Sequence, residues 1–139
     1  MQIDTSSTFG ARVVRRLNED RIGWLTTVAA DGTSQPSPIW FLWDGETALI
    51  YSKSDAPKLR HIAANPRVSL NLNSDEHGGD VVILTGEARI DAGAPEAHQV
   101  PAYLEKYAPG IQSIGMTPET FAQAYSVAIR FTPAKLRGH

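Results

Sequence analysis

Two prolines at alternate positions of a strand, and two lysines beyond the strand after it, are the residues here whose types and spacing suit chemistry. The first stretch is Gln35-Pro36-Ser37-Pro38-Ile39-Trp40-Phe41-Leu42-Trp43. Each proline deletes a ladder donor. Pro36 and Pro38 delete them along one side, which leaves an open sheet edge where a ligand can lie against backbone. Ser37 and Ile39 keep their N–H groups for ring heteroatoms, and Trp40 and Trp43 supply aromatic area. The same pattern also describes an edge strand protected against aggregation. The second stretch is Tyr51-Ser52-Lys53-Ser54-Asp55-Ala56-Pro57-Lys58. Pro57 suits a first helical turn, so Lys58 stands where unpaired N–H groups and the helix dipole favour an anion. Ser52, Ser54 and Lys53 add donors, while Asp55 opposes an anion or caps the helix. Lysines at this spacing are ordinary surface residues when taken alone. Coupled to the proline-bearing strand, they describe a platform for a flat ring beside a grip for a phosphate.

Other chemistries find little support. The formal net charge of −2 gives no general field for nucleic acid, so an anion site must be local. The chain has no cysteine, which excludes disulfides, thiolate metal sites and cysteine nucleophiles. His61, His77, His98 and His139 show no metal-ligand spacing, and His61 is expected on the outer face of its helix. No nucleophile elbow, dinucleotide fingerprint or P-loop occurs. Asp75, Glu76 and Asp80 suit a solvated turn. No catalytic residue is assigned. Hydride transfer by a flavin-like ring requires none, since the cofactor carries the chemistry and the protein places it.

The elements that must hold these residues follow from periodicity. Ser6-Ser7-Thr8 offers N-caps for a helix with Phe9, Val13, Val14 and Leu17 inward and Arg12, Arg15 and Arg16 on a solvated face. Ile22–Ala29, Ser34–Trp43 and Thr47–Ser52 read as strands joined by Asp31-Gly32 and Asp44-Gly45 turns, hence as an antiparallel meander. Trp24, Trp40, Trp43 and Tyr51 suit a ligand pocket and the core equally. The helix opened by Pro57 stops at Asn65-Pro66. Arg67–Asn73 alternates as a half-buried strand, and Val81–Ile90 is a long strand that Gly86 bends. A helix within Pro95–Tyr107 ends at Ala108-Pro109-Gly110, and Thr117-Pro118-Glu119 starts a short one through Tyr125. Ser126–Phe131 is a last strand before a tail. Six strands with three or four helices, without βαβ alternation, predict a mainly β, antiparallel barrel with peripheral helices, in one domain over 1–139. No apolar run is long enough to span a membrane, and the N-terminus lacks signal-peptide character, so a cytoplasmic protein is expected.

Taken in order, these segments resemble the split β-barrel flavin/deazaflavin oxidoreductases of the pyridoxamine 5′-phosphate oxidase-like superfamily, and within it the actinobacterial branch that uses coenzyme F420. The resemblance is carried by Trp24–Thr27 to Gly32, Gln35–Trp40, Tyr51–Lys53 with Lys58-Leu59-Arg60, Asn65–Val68, Gly78-Gly79-Asp80 through Gly86, and Arg130–Pro133. It spans nearly the whole chain. It implies a six- to seven-stranded split barrel, a homodimer with cofactor sites at the interface, and an F420-dependent reductase acting on a small organic molecule. It also implies that Lys53 and Lys58, helped by Ser52, bind the cofactor phosphate, while Ser37, Pro38, Ile39 and Trp40 line its ring. The alternatives on the same scaffold are an FMN-binding oxidase-like protein and a non-enzymatic module for F420 or haem.

Overall fold

The chain crosses from one edge of its sheet to the other in two residues. The computed structural model describes residues 1–139. Its elements are α1 (Thr8–Glu19), β1 (Gly23–Val28), β2 (Ser34–Ile39), β3 (Leu42–Trp43), β4 (Ala48–Ser52), α2 (Pro57–Ala64), β5 (Arg67–Leu72), β6 (Val82–Ile90), a 3-10 turn (Ala97–Gln99), α3 (Pro101–Ser113), α4 (Pro118–Ala124) and β7 (Val127–Gly138). All seven strands form one antiparallel sheet in the order β2-β1-β5-β6-β7-β4-β3. Only Trp40 and Phe41 separate β2 at one edge from β3 at the other. Three Cα–Cα steps reach at most about 11 Å. The two edges therefore approach one another there, and the sheet is curled into an incomplete barrel.

This topology corrects the expected meander. Ser34–Trp43 is not one strand, and β2 pairs with β1 alone and not with β4. Both Asp-Gly turns do form, with Gly32 at φ 87° and Gly45 at φ 98°, but they close hairpins at opposite edges. The strand breaks because the polar backbone of Phe41 bonds to α3 instead of to a neighbouring strand. Its N–H donates to the Tyr107 hydroxyl at 2.8 Å, and its carbonyl accepts from Lys106 Nζ at 2.8 Å. These bonds satisfy groups that would otherwise be buried unpaired.

Two apolar clusters sit on the two faces of the sheet. The larger fills the curl with Leu25, Ile50, Leu70, Leu84, Ile129 and Phe131, closed by Val13 and Leu17 of α1 and by Leu59 and Ile62 of α2. The smaller joins Leu49, Tyr51 and Ala128 to Tyr103, Tyr107 and Ile111 of α3 and Phe121 of α4. Since β4 is covered on both faces, all five of its residues are buried. In β5, covered on one face, inward Val68, Leu70 and Leu72 alternate with more exposed neighbours, as its sequence predicts.

Three further expectations are corrected. Arg16 is buried rather than on a solvated face. Its guanidinium donates to the carbonyls of Asp80 and Asn73, both at 2.7 Å, and pairs with Asp20, so α1 is pinned to the loop between β5 and β6. His61 faces inward, with Nδ1 2.9 Å from the Oγ1 of buried Thr27. α3 does not end at Pro109; it runs on to Ser113, because Ile111 buries its side chain in the second cluster.

The last strand is also longer than expected, since Thr132–Gly138 keeps pairing with β6. The register shifts at Thr85/Gly86, where the sequence predicts a bend. A Cβ on Gly86 would lie 2.1 Å from the Thr132 carbonyl oxygen, a backbone atom that cannot swing aside. Gly86→Ala is expected to cost about 1–3 kcal/mol, the scale of overpacking, seen as a lower urea midpoint with an unchanged slope. No helix is long and apolar enough to cross a membrane.

Candidate functional site

The end of β2, the end of β4 and the start of α2 meet at one cavity. Its volume is about 650 Å³. Pro38, Ile39 and Trp40 enter its wall where the chain leaves β2. Ser52, Lys53, Asp55 and Lys58 enter from the turn between β4 and α2. Of the residues predicted to bind a cofactor, the structure brings these six together: Pro38, Ile39, Trp40, Ser52, Lys53 and Lys58. Ser37 lies one residue outside the wall, half-buried and in register with Leu25. Both prolines lie on the strand that ends the sheet, opposite Thr26 and Trp24 of β1. The edge beyond them is unpaired, as their missing donors require.

The cationic side of the cavity is free of internal partners. Neither the Lys53 nor the Lys58 ammonium group makes an ion pair or a hydrogen bond within the chain. Lys53 is exposed, and its Nζ lies 5.6 Å from the centre of the Tyr125 ring. Lys58 is half-buried, and burial alone lowers its pKa. Asp55 does not cap α2: Ala56 is the N-cap, and no side chain bonds the helix end. Pro57 has no N–H and the Leu59 N–H donates to the Ala56 carbonyl at 3.1 Å, so the Lys58 N–H is the one left at this helix start for another acceptor. Ser52 is buried, and its Oγ donates to the Lys53 carbonyl at 3.0 Å.

The aromatic side comes mostly from the C-terminal helices, which sequence reasoning did not assign to the site. Tyr103, Phe121 and Tyr125 line the cavity with Tyr51 and Trp40. Trp40 stacks on Tyr107 with ring centres 4.8 Å apart and 6° between planes, and on Phe121 at 5.6 Å and 17°. Gly110 of α3 lets the indole lie close, since a Cβ there would be 3.1 Å from it. Phe121 in turn stacks on Tyr125 at 4.5 Å. The signal in the sequence is the i, i+4 spacing of Tyr103 with Tyr107 and of Phe121 with Tyr125, which puts each pair on one helix face. Trp43 belongs to the core, and the Trp24 indole donates to Asn73 Oδ1 at 2.9 Å, outside the cavity wall. The Tyr51 hydroxyl donates to the Pro95 carbonyl at 2.8 Å.

The arrangement suits a flat, phosphate-bearing molecule. Aromatic and aliphatic side chains would take its ring system, and two unpaired ammonium groups at a helix start would take its anion. No group of three or more histidine, aspartate or glutamate residues is placed to hold a metal ion.

Comparison with known proteins agrees with this architecture. The family model for pyridoxamine 5′-phosphate oxidase matches residues 9–139. No curated protein matches the sequence. Among solved structures, an F420 reductase is 23% identical, with 88% of this chain and 94% of that one covered and a TM-score of 0.65. An FAD-binding protein from Mesorhizobium loti is 16% identical, with 91% and 88% covered and a TM-score of 0.64. HutZ, the haem storage protein from Vibrio cholerae, is 17% identical, with 99% and 95% covered and a TM-score of 0.62. At these identities the likenesses show a shared fold.

Proposed function

The chain belongs to the pyridoxamine 5′-phosphate oxidase family, and on that premise we propose that it is a coenzyme F420-dependent reductase, holding the deazaflavin in the cavity between β2, β4, α2 and the C-terminal helices. The observation that carries the reading is the pair of unpaired lysines, Lys53 and Lys58, over an aromatic-walled cavity. Lysines that serve only solubility need not converge on a cavity, and Lys58 has lost part of its solvation without gaining a carboxylate. A bound phosphate would restore what burial removed.

In this reading Lys53, Lys58, the Ser52 region and the Lys58 N–H at the start of α2 hold the anion. The unpaired edge at Pro38–Trp40 meets the ring system along its backbone. The reduced coenzyme, when bound, supplies a hydride from C5 and reacts little with oxygen, which suits a reductase. The protein's own part is to align the acceptor face to face with the ring and to exclude water from it. The acceptor is a small organic molecule. Two copies of the chain form a homodimer with the cofactor sites at its interface.

The likeness to an F420 reductase supports this choice, and the likeness to a FAD-binding protein keeps flavin mononucleotide as the second reading. Protein that purifies yellow with stoichiometric flavin would favour the second. The haem storage neighbour raises a third reading, a binding module without turnover. No histidine lines the cavity, so haem iron would lack an imidazole ligand from this chain. The direct test is titration with the coenzyme, read by its fluorescence. Saturable quenching in the micromolar range is expected, and no change at tens of micromolar (about −6 kcal/mol or weaker) would reject the reading.

The lowered pKa of Lys58 gives a pH dependence with a definite sign. A bound anion favours the ammonium form, so binding takes up protons once free Lys58 begins to lose its own. Affinity is then full below the depressed pKa and falls as pH rises through it, towards about tenfold per pH unit, until the pKa of the complex is reached. Lys58→Arg, whose charge does not titrate in this range, should bind with a flat profile. Equilibrium titrations between pH 7 and 10 check both, and a flat wild-type profile would remove Lys58 from the site.

A further inference from the structure

One polar group at the cavity has no role in the phosphate grip and no partner in the fold. Tyr103 lines the cavity, is fully buried, and its hydroxyl makes no hydrogen bond. The tyrosines around it are engaged otherwise. The Tyr107 hydroxyl bonds Phe41 and Arg21, and the Tyr51 hydroxyl gives its proton to the Pro95 carbonyl. The Tyr103 ring is held on three sides, by Tyr51 at 5.0 Å, Tyr107 at 4.9 Å and Phe121 at 6.0 Å between centres. Burying a hydroxyl unpaired is unfavourable, and phenylalanine would fill the same space without that cost. Burial also raises the Tyr103 pKa, so the group stays neutral and remains a donor.

We propose that the Tyr103 hydroxyl is a specificity-determining donor of this cavity, giving its hydrogen bond to a neutral acceptor, a carbonyl oxygen, on the molecule that fills the aromatic side. The proposal rests on the reading of the cavity as a ligand site, but it does not depend on which cofactor occupies the cationic side. The hydroxyl is sealed from water by the side chains around it. It is reached by a flat molecule that enters between the aromatic side chains of α3 and α4 and moves them apart. Tyr125 is the neighbour best placed to yield, being only half-buried and held by Phe121 on a short helix. Such a ligand gains a hydrogen bond in a dry setting, where it discriminates a carbonyl compound from its hydrocarbon analogue.

Tyr103→Phe tests this with two readouts. Thermal unfolding without ligand should show the variant as stable as the wild type or more so, because the hydroxyl it loses was unpaired. Binding of 1-indanone and of indane, followed by ligand-detected NMR, should show that the preference for the ketone over the hydrocarbon falls about five- to tenfold in the variant. A variant that melts several degrees lower, or fails to fold, would show that the hydroxyl has a structural partner and would overturn the proposal. So would an unchanged ketone preference, or a wild type that binds neither probe. Neither probe carries a phosphate, so these outcomes are separate from those of the coenzyme titration, which alone decides the cofactor.

Discussion

Replacing both Lys53 and Lys58 by alanine should abolish measurable cofactor binding while leaving the fold intact. Each lysine alone is expected to contribute about 1.5–3 kcal/mol, the value of a hydrogen bond to a charged group. Each single variant should then bind roughly ten- to 150-fold more weakly. The lysines make no contact that holds the fold together. Lys53 is exposed, and its one aromatic neighbour, Tyr125, stacks on Phe121 without it. Lys58 is half-buried without a partner, so its removal relieves a desolvation cost. Unfolding curves of the double variant should therefore match the wild type to within about 0.5 kcal/mol, as for surface changes away from special features. Two lysines sharing one phosphate are coupled, so their effects should not add. Unchanged affinity in the double variant would remove the phosphate grip altogether.

The largest effect on the fold is expected at Tyr107. Its hydroxyl accepts the Phe41 N–H at 2.8 Å and donates to the Arg21 carbonyl at 2.8 Å, with the Phe41 carbonyl at 3.0 Å. Tyr107→Phe keeps the ring that stacks on Trp40 but leaves the buried Phe41 N–H without a partner. The Phe41 carbonyl still has Lys106. The expected cost is about 2–3 kcal/mol, mostly the penalty of one buried donor left unpaired, or about 5–10 °C in melting temperature for a chain of this size. The consequence reaches the site because Phe41 follows Ile39 and Trp40, which line the cavity. Cofactor affinity should fall as well, though less than in the lysine variants. Lys106→Met should cost less than Tyr107→Phe, since it leaves the Phe41 N–H bonded. The reverse order would mean that the lysine, not the tyrosine, holds the crossing.

Much of the local structure is legible in the sequence because its causes are local. Ser7 caps α1 through a bond to the Gly10 N–H, and Thr117 caps α4 through one to Thr120. Pro57, Asn65 and the two Asp-Gly pairs each act within a few residues of themselves. The residues at the cavity's cationic side follow from the same kind of signal, because Lys58 owes its place to the helix that Pro57 starts. The strand partners were not legible. An Asp-Gly hairpin looks alike whether its second strand pairs onward or ends a sheet, and what separates β2 from β3 is a bond to Tyr107, 66 positions away. The buried guanidinium of Arg16 is hidden for the same reason, since the carbonyls it needs lie 57 and 64 positions along the chain. The aromatic half of the cavity was missed because Tyr103 and Phe121 fit an ordinary helix core equally well. Only the placement of α3 and α4 against β4 makes them a wall.

On the proposed reading, this cavity holds a phosphate-bearing deazaflavin. Equilibrium titration of the purified wild-type protein with coenzyme F420 and, separately, with flavin mononucleotide tests it most directly. Saturable binding of the deazaflavin, tighter than that of the flavin and lost in the double lysine variant, is the predicted result. Binding of neither at tens of micromolar, or tighter binding of flavin mononucleotide, would contradict it.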